Sequence, residues 1–111
     1  MADRASEIER KWRESAPPEA SVEDVERVLE ARFPGRWAHK TNGGSHLLMI
    51  SDSDLLLAER NGFLTGTRGG RITISVVKGR HVKKWLLETL IKAIDVKVQI
   101  QTFRSKEGVE E

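Results

Sequence analysis

Residues 36–51 read Arg-Trp-Ala-His-Lys-Thr-Asn-Gly-Gly-Ser-His-Leu-Leu-Met-Ile-Ser, and the fold turns on how they are parsed. Arg36 to Thr41 alternates around Trp37 and His39, the period-two pattern of a half-buried strand. Asn42-Gly43-Gly44 supplies residues that accept the positive φ of a tight hairpin turn. Ser45 to Ser51 is strand-like again. The stretch therefore predicts a β-hairpin, with His46 just past its turn.

On the N-terminal side a helix is expected from about Val22 to Arg32. Ser21 is a good N-cap, Asp24 stands at the capping-box position, and Glu23 also lies near the positive helix end. Val22, Val25, Val28, Leu29 and Phe33 recur at three- and four-residue spacing, and Pro34-Gly35 ends the run. On the C-terminal side Asp52-Ser53-Asp54 breaks the strand pattern. Leu55-Leu56-Leu57-Ala58 fits a strand or a helical turn equally well, and Gly62, Gly66, Gly69 and Gly70 mark an excursion with turns. Arg71 to Val77 alternates with Ile72, Ile74 and Val76 on one face, which predicts a third strand. A second strong helix is expected from about His81 to Ile94, with Val82, Trp85, Leu86, Leu90, Ala93 and Ile94 on a wide apolar stripe. Val96, Val98 and Ile100 then alternate with Lys97, Gln99 and Gln101, which predicts a last strand through Phe103.

Upstream, Ser6 and Glu9 form a capping box, and Ile8 and Trp12 lie one turn apart, so a short helix is expected to stop before Pro17-Pro18. Two apolar residues are too few to hold such a helix alone. The expected organisation is a helical appendage over 1–20, one α+β domain over 21–104 and an acidic tail over 105–111. The domain is a two-layer sandwich of order α-β-β-β-α, with an antiparallel three-stranded sheet and its helices on one face. The N-terminal helix and the C-terminal strand are additions to it.

Composition narrows the function. With 38% hydrophobic and 32% charged residues, 111 residues can close one small core and no more. The chain has no cysteine, which excludes disulfides, thiolate metal sites and cysteine nucleophiles. No apolar run is long enough to span a membrane, and the polar, mixed-charge N-terminus does not read as a signal peptide, so a cytoplasmic protein is expected. The net charge of +2 is unevenly spread: residues 1–30 carry nine acids and five bases, residues 31–104 five acids and thirteen bases. Between Arg60 and Lys84 stand seven bases and no acid. A one-sign field of that kind suits a polyanion, nucleic acid first, although solvated surface cations are the plain alternative.

Among residues able to do chemistry, His46 is the leading candidate, because histidine gives or takes a proton near neutral pH and a strand start is a rigid place to expose it. RNA carries its own nucleophile, the 2′-hydroxyl, so a ribonuclease needs little beyond a proton acceptor, a donor and cations facing the phosphorane. A lone histidine is more often an ordinary surface residue. Arg80, His81, Lys83 and Lys84 open the second long helix as read from sequence, where cations oppose the macrodipole. Converging with free helix N–H groups on a phosphate would repay that cost. Lys78, Arg71 and Lys40 extend the candidate RNA-binding set. The three histidines with Asp52 or Asp54 match no metal-ligand spacing, so no metal or other cofactor is expected. Gly66-Thr67-Arg68-Gly69-Gly70 lacks the Gly-Lys-Ser/Thr ending of a nucleotide loop. Trp37, Trp85 and Phe103 read as core rather than as a base-stacking platform.

The helix at 21–33, the hairpin with Gly44-Ser45-His46, the strand at 71–77, and Lys78-Gly79-Arg80 leading into Trp85-Leu86-Leu87 and Leu90-Ile91-Lys92-Ala93 together resemble the HicA family of toxin ribonucleases. The resemblance covers roughly residues 21–95. It implies a small double-stranded-RNA-binding-domain-like fold and an mRNA interferase restrained by a HicB-like antitoxin. It further implies that His46 is catalytic, with Gly44 and Ser45 supporting it. Two other readings of the same residues stay open: an RNA-binding module without catalysis, and a protein-interaction domain whose final strand, as an edge strand, pairs with a partner.

Overall fold

The computed structural model describes residues 4–64, 67–78 and 80–110. Its order is α1 (Arg4–Glu14), β1 (Glu19–Ser21), α2 (Val22–Arg32), β2 (Trp37–Asn42), β3 (Ser45–Ser51), α3 (Ser53–Arg60), β4 (Arg71–Val76), β5 (His81–Lys83) and α4 (Lys84–Glu110). Strands β2, β3 and β4 form an antiparallel sheet in that spatial order, and β1 pairs with β5 in a separate two-stranded ribbon. The chain is the α+β sandwich the sequence predicts.

The alternation within each strand decides which face is covered. Leu48, Ile50, Ile72, Ile74 and Val76 point one way and are buried. They share one core with Val25, Val28, Leu29 and Phe33 of α2 and with Leu86, Leu87, Leu90, Ala93 and Ile94 of α4. Along β4 burial alternates strictly, leaving Arg71, Thr73 and Ser75 on the uncovered face. Ser21 caps α2 as expected, accepting the Asp24 N–H through its hydroxyl at 3.2 Å.

Three features depart from the sequence reading. First, the strand expected over 96–103 is helix, and α4 continues through the segment expected as an acidic tail as far as Glu110. No glycine or proline interrupts the chain between Ile94 and Phe103. Lys97 falls on the inward stripe, burying its ammonium between Asp52 and Asp54 at 2.5 and 3.2 Å. A charged residue at a core-facing position disguised the helical period as an alternation. Second, α4 starts at Lys84, three residues later than expected, because His81–Lys83 forms β5. Val82 is fully buried opposite Ala20, so a strand pair gains more here than one further helical turn. Third, α1 is no appendage. Ile8 and Trp12 are buried in the common core, Glu9 bonds Arg32 of α2, and Arg13 bonds Asp95 of α4.

The ambiguous run at 55–58 is helical, as part of α3. Asp52 caps it by accepting the N–H groups of Asp54 and Leu55, while Leu55 and Ala58 are buried. The excursion closes where it began: the Asp52 N–H donates to the carbonyl of Gly70. A side chain at Gly70 would meet the Asp52 carbonyl at 2.8 Å, and its φ of +76° independently calls for glycine.

Candidate functional site

Gly43 and Gly44, at φ +57° and +89°, make a two-residue turn with positive φ at both central positions, which matches the strand twist. The turn sets the register Asn42↔Ser45, Thr41↔His46, His39↔Leu48. His39 and His46 consequently lie on the same sheet face, the helix-covered one, as diagonal neighbours that long side chains can bridge. Their rings meet edge-to-face at 5.3 Å between centroids, with Nε2 of His39 3.1 Å from Nδ1 of His46.

The other ring nitrogen of His39, Nδ1, lies 3.1 Å from Oε2 of Glu26 on α2. One helical turn on, Glu30 accepts the indole N–H of Trp37 at 2.8 Å. The match has a simple metric basis. Four helical residues rise about 6 Å, and two strand residues advance about 6.8 Å. Carboxylates at i and i+4 on α2 can therefore meet side chains at i and i+2 on β2. Glu26, His39 and His46 come from three elements and form one continuous chain of hydrogen bonds. The Glu26 and His39 side chains are 29% and 31% exposed, so the chain runs along the rim of the core rather than inside it. Nε2 of His46 engages no partner among the described residues.

The cations divide into two groups. Because His46 is opposite Val76, the β4–β5 connection lies at the same end of the sheet as His46. That connection is closed by the Val77 N–H to the His81 carbonyl at 2.6 Å and the His81 N–H to the Val77 carbonyl at 3.1 Å, and it carries Lys78 and Arg80. Lys83 and Lys84 follow, and all four cations are exposed or half-exposed. Residue 79 of the Lys78-Gly79-Arg80 motif lies outside the described residues. Lys78 holds a φ of +53°, a left-handed conformation unusual for a residue with a side chain.

Lys40 and Arg71 belong elsewhere. Lys40 is opposite Leu47 and Arg71 opposite Ser51, both on the uncovered face, where they border a shallow depression with Arg36 and Met49. Arg71 is also at the far end of β4 from Val76, about 17 Å along the strand. The β4–β5 connection thus puts Lys78 and Arg80 at His46's end of the sheet, Lys83 and Lys84 follow beside Pro18, Glu19 and Trp85, and Lys40 and Arg71 fall outside both groups.

The expected anion site at a helix N-terminus is altered by β5. Arg80 and Lys83 precede α4 rather than opening it, and the Lys84 N–H is already donated to the Pro18 carbonyl at 2.9 Å. Glu19 faces Lys83 across the ribbon, and Glu88 stands one turn beyond Lys84, so acids moderate the basic strip. His81 approaches Glu19 at 4.0 Å. Trp85, expected in the core, is 62% exposed beside Lys84 and Pro18, and Phe103 is equally exposed. Asp52 and Asp54 are at the opposite end of β3 from His46, about 20 Å away along the strand, and both face Lys97.

Sequence reasoning placed His46 and passed over His39 and Glu26 as its neighbours. The usable signal was the paired spacing: Glu26 and Glu30 one turn apart, Trp37 and His39 one strand period apart, on elements both read as sheet-facing. Comparison with protein-family models, curated proteins and solved structures finds nothing that matches this chain. No helix among the described residues is long and apolar enough to cross a membrane.

Proposed function

We propose that the chain is an RNA-binding endoribonuclease that cleaves mRNA with His46. In this reading it is the toxin of a type II toxin–antitoxin pair, restrained by a HicB-like antitoxin and acting in the cytoplasm without metal. One observation carries the reading: His46 is held by His39 at the end of the sheet where the β4–β5 connection brings Lys78 and Arg80, with Lys83 and Lys84 following in the chain. A positioned proton acceptor beside several cations is the equipment that 2′-hydroxyl attack on phosphate requires.

In that reaction Nε2 of His46 takes the proton of the 2′-hydroxyl, and the 2′-oxygen attacks the adjacent phosphorus. The bond from phosphorus to the 5′-oxygen breaks, and that oxygen leaves with a proton from water. The products are a 2′,3′-cyclic phosphate and a 5′-hydroxyl. Gly44 and Ser45 contribute by fixing the hairpin register. The phosphate-binding role falls to Lys78, Arg80, Lys83 and Lys84, while Lys40 and Arg71 would engage RNA only across the uncovered face.

The test is incubation of the full chain with RNA in EDTA. Cleavage to cyclic-phosphate ends is expected, and its loss in a folded His46→Ala variant. Intact RNA, or equal cleavage by the alanine variant, would overturn the proposal. The protein-interaction reading loses the final strand it relied on, because residues 96–103 are helical, but an edge remains elsewhere. β2 is an outer strand of the sheet and Ala38 to Thr41 are exposed, which leaves an edge available for strand addition by a protein partner.

A further inference from the structure

We propose that Glu26 and His39 are positioning residues that fix the tautomer of His46, so that its Nε2 presents a lone pair rather than a proton. The proposal deepens the ribonuclease reading and rests on it for its functional meaning, but the tautomer itself is a property of the chain alone.

An ionised carboxylate only accepts hydrogen bonds, so the contact between Glu26 Oε2 and His39 Nδ1 places the hydrogen on Nδ1. A neutral imidazole carries one N–H, which leaves Nε2 of His39 as an acceptor. The 3.1 Å contact to His46 then requires His46 Nδ1 to be the donor. Nε2 of neutral His46 is therefore the unprotonated nitrogen. Free histidine favours the opposite tautomer, with hydrogen on Nε2, which would present a donor where a base is needed.

The chain also serves the next moment of the reaction. When Nε2 of His46 takes a proton, the imidazolium keeps its Nδ1–H bond to His39, whose own N–H points at the Glu26 carboxylate. The new positive charge thus faces a negative one through a hydrogen-bonded ring, the arrangement by which a carboxylate supports a catalytic histidine. Here a second imidazole extends the reach, because Glu26 is on a helix and His46 is two strands away.

Nitrogen-15 NMR of the full chain, at a pH where the rings are neutral, reads the tautomer directly. Hydrogen on Nδ1 of His46 is expected, with Nε2 bare. In His39→Leu the His46 ring should revert to the Nε2–H form. In His39→Gln the amide oxygen stands near the former Nε2 and should restore the Nδ1–H form. If the chain cleaves RNA, His39→Leu should lower kcat about a hundredfold with KM nearly unchanged, and His39→Gln should recover part of the loss. An Nε2–H tautomer in the unmodified chain, or an identical tautomer in His39→Leu, would overturn the proposal whether or not RNA is cleaved. The expected tautomers in a chain that cleaves no RNA would overturn the ribonuclease reading and leave the positioning role standing.

Discussion

The ammonium of Lys97 on α4 lies 2.5 Å from Oδ2 of Asp52, the residue that caps α3. The same ammonium reaches Asp54 at 3.2 Å and sits 5.3 Å from the centre of the Phe33 ring. Lys97 is 13% exposed and the two carboxylates 3% and 8%. One cation thereby ties the long helix to the excursion between β3 and β4.

Removing that cation takes its positive charge away from two buried carboxylates. Breaking a buried ion pair from one side costs about 3–5 kcal/mol. Lys97→Met, which keeps most of the stem, should lower the melting temperature by more than about 10 °C for a domain of this size. A shift of only a few degrees would mean that water reaches the pair and that the clamp contributes little.

The same residue explains what was legible in the sequence. Hairpin, flanking helices and third strand follow from period, turn glycines and caps, because those signals are local. Val96, Val98 and Ile100 satisfy a strand pattern only if Lys97 is taken as outward-facing. The two aspartates that draw it inward stand more than forty positions away. The ribbon of β1 and β5 was hidden for a similar reason: each strand is three residues long and is justified by its partner alone. His46 was legible from the hairpin, whereas Glu26 reaches it only through the packing of α2 on β2.

Glu9 on α1 links stability to pH. Burial would raise its pKa, but the guanidinium of Arg32 at 2.7 Å and that of Arg13 at 3.2 Å outweigh burial and hold it below the usual carboxylate range. A depressed folded pKa means that the unfolded chain binds the proton more readily. The contribution is therefore present at neutral pH and is lost as pH falls from about 4.3 through the folded value. Glu9→Gln should unfold more easily at pH 7 and show a flatter acid limb in melting temperature against pH. An acid limb identical to the unmodified chain's would show that other carboxylates, such as Glu59 held low by the Thr67 hydroxyl and the Gly70 and Gly69 N–H groups, govern it.

Lys78 allows charge and stability to be separated at one position. Its φ of +53° is costly for a lysine, by roughly 1 kcal/mol, and asparagine tolerates that region better. Lys78→Asn should melt at an equal or higher temperature. If Lys78 contacts phosphate, the same variant should bind RNA more weakly, with a salt slope smaller by about one unit. Weaker binding accompanied by a lower melting temperature would show that the lysine acts through folding instead.

Trp85 is a built-in reporter for the basic end of the molecule. Its indole is 62% exposed beside Lys83 and Lys84, whereas Trp12 is buried and Trp37 is half-buried against Glu30. RNA settling on those lysines should alter the emission of Trp85 and leave that of Trp12 unaffected. Replacing Trp85 with phenylalanine should remove most of the signal. Lys83→Ala with Lys84→Ala should weaken binding to all RNA sequences alike and lower the salt slope by about one unit for each phosphate that the lysines neutralise. Lys84 opens α4, where a cation opposes the helix dipole, so the double variant should not melt earlier. Glu19 faces Lys83 across the ribbon, and losing that exposed neighbour is worth under about 1 kcal/mol, too little to reverse the sign strongly. A clear loss of stability with an unchanged salt slope would assign the lysine stems to packing around Trp85. That outcome would remove the phosphate role of this strip and most of the support for RNA as the partner.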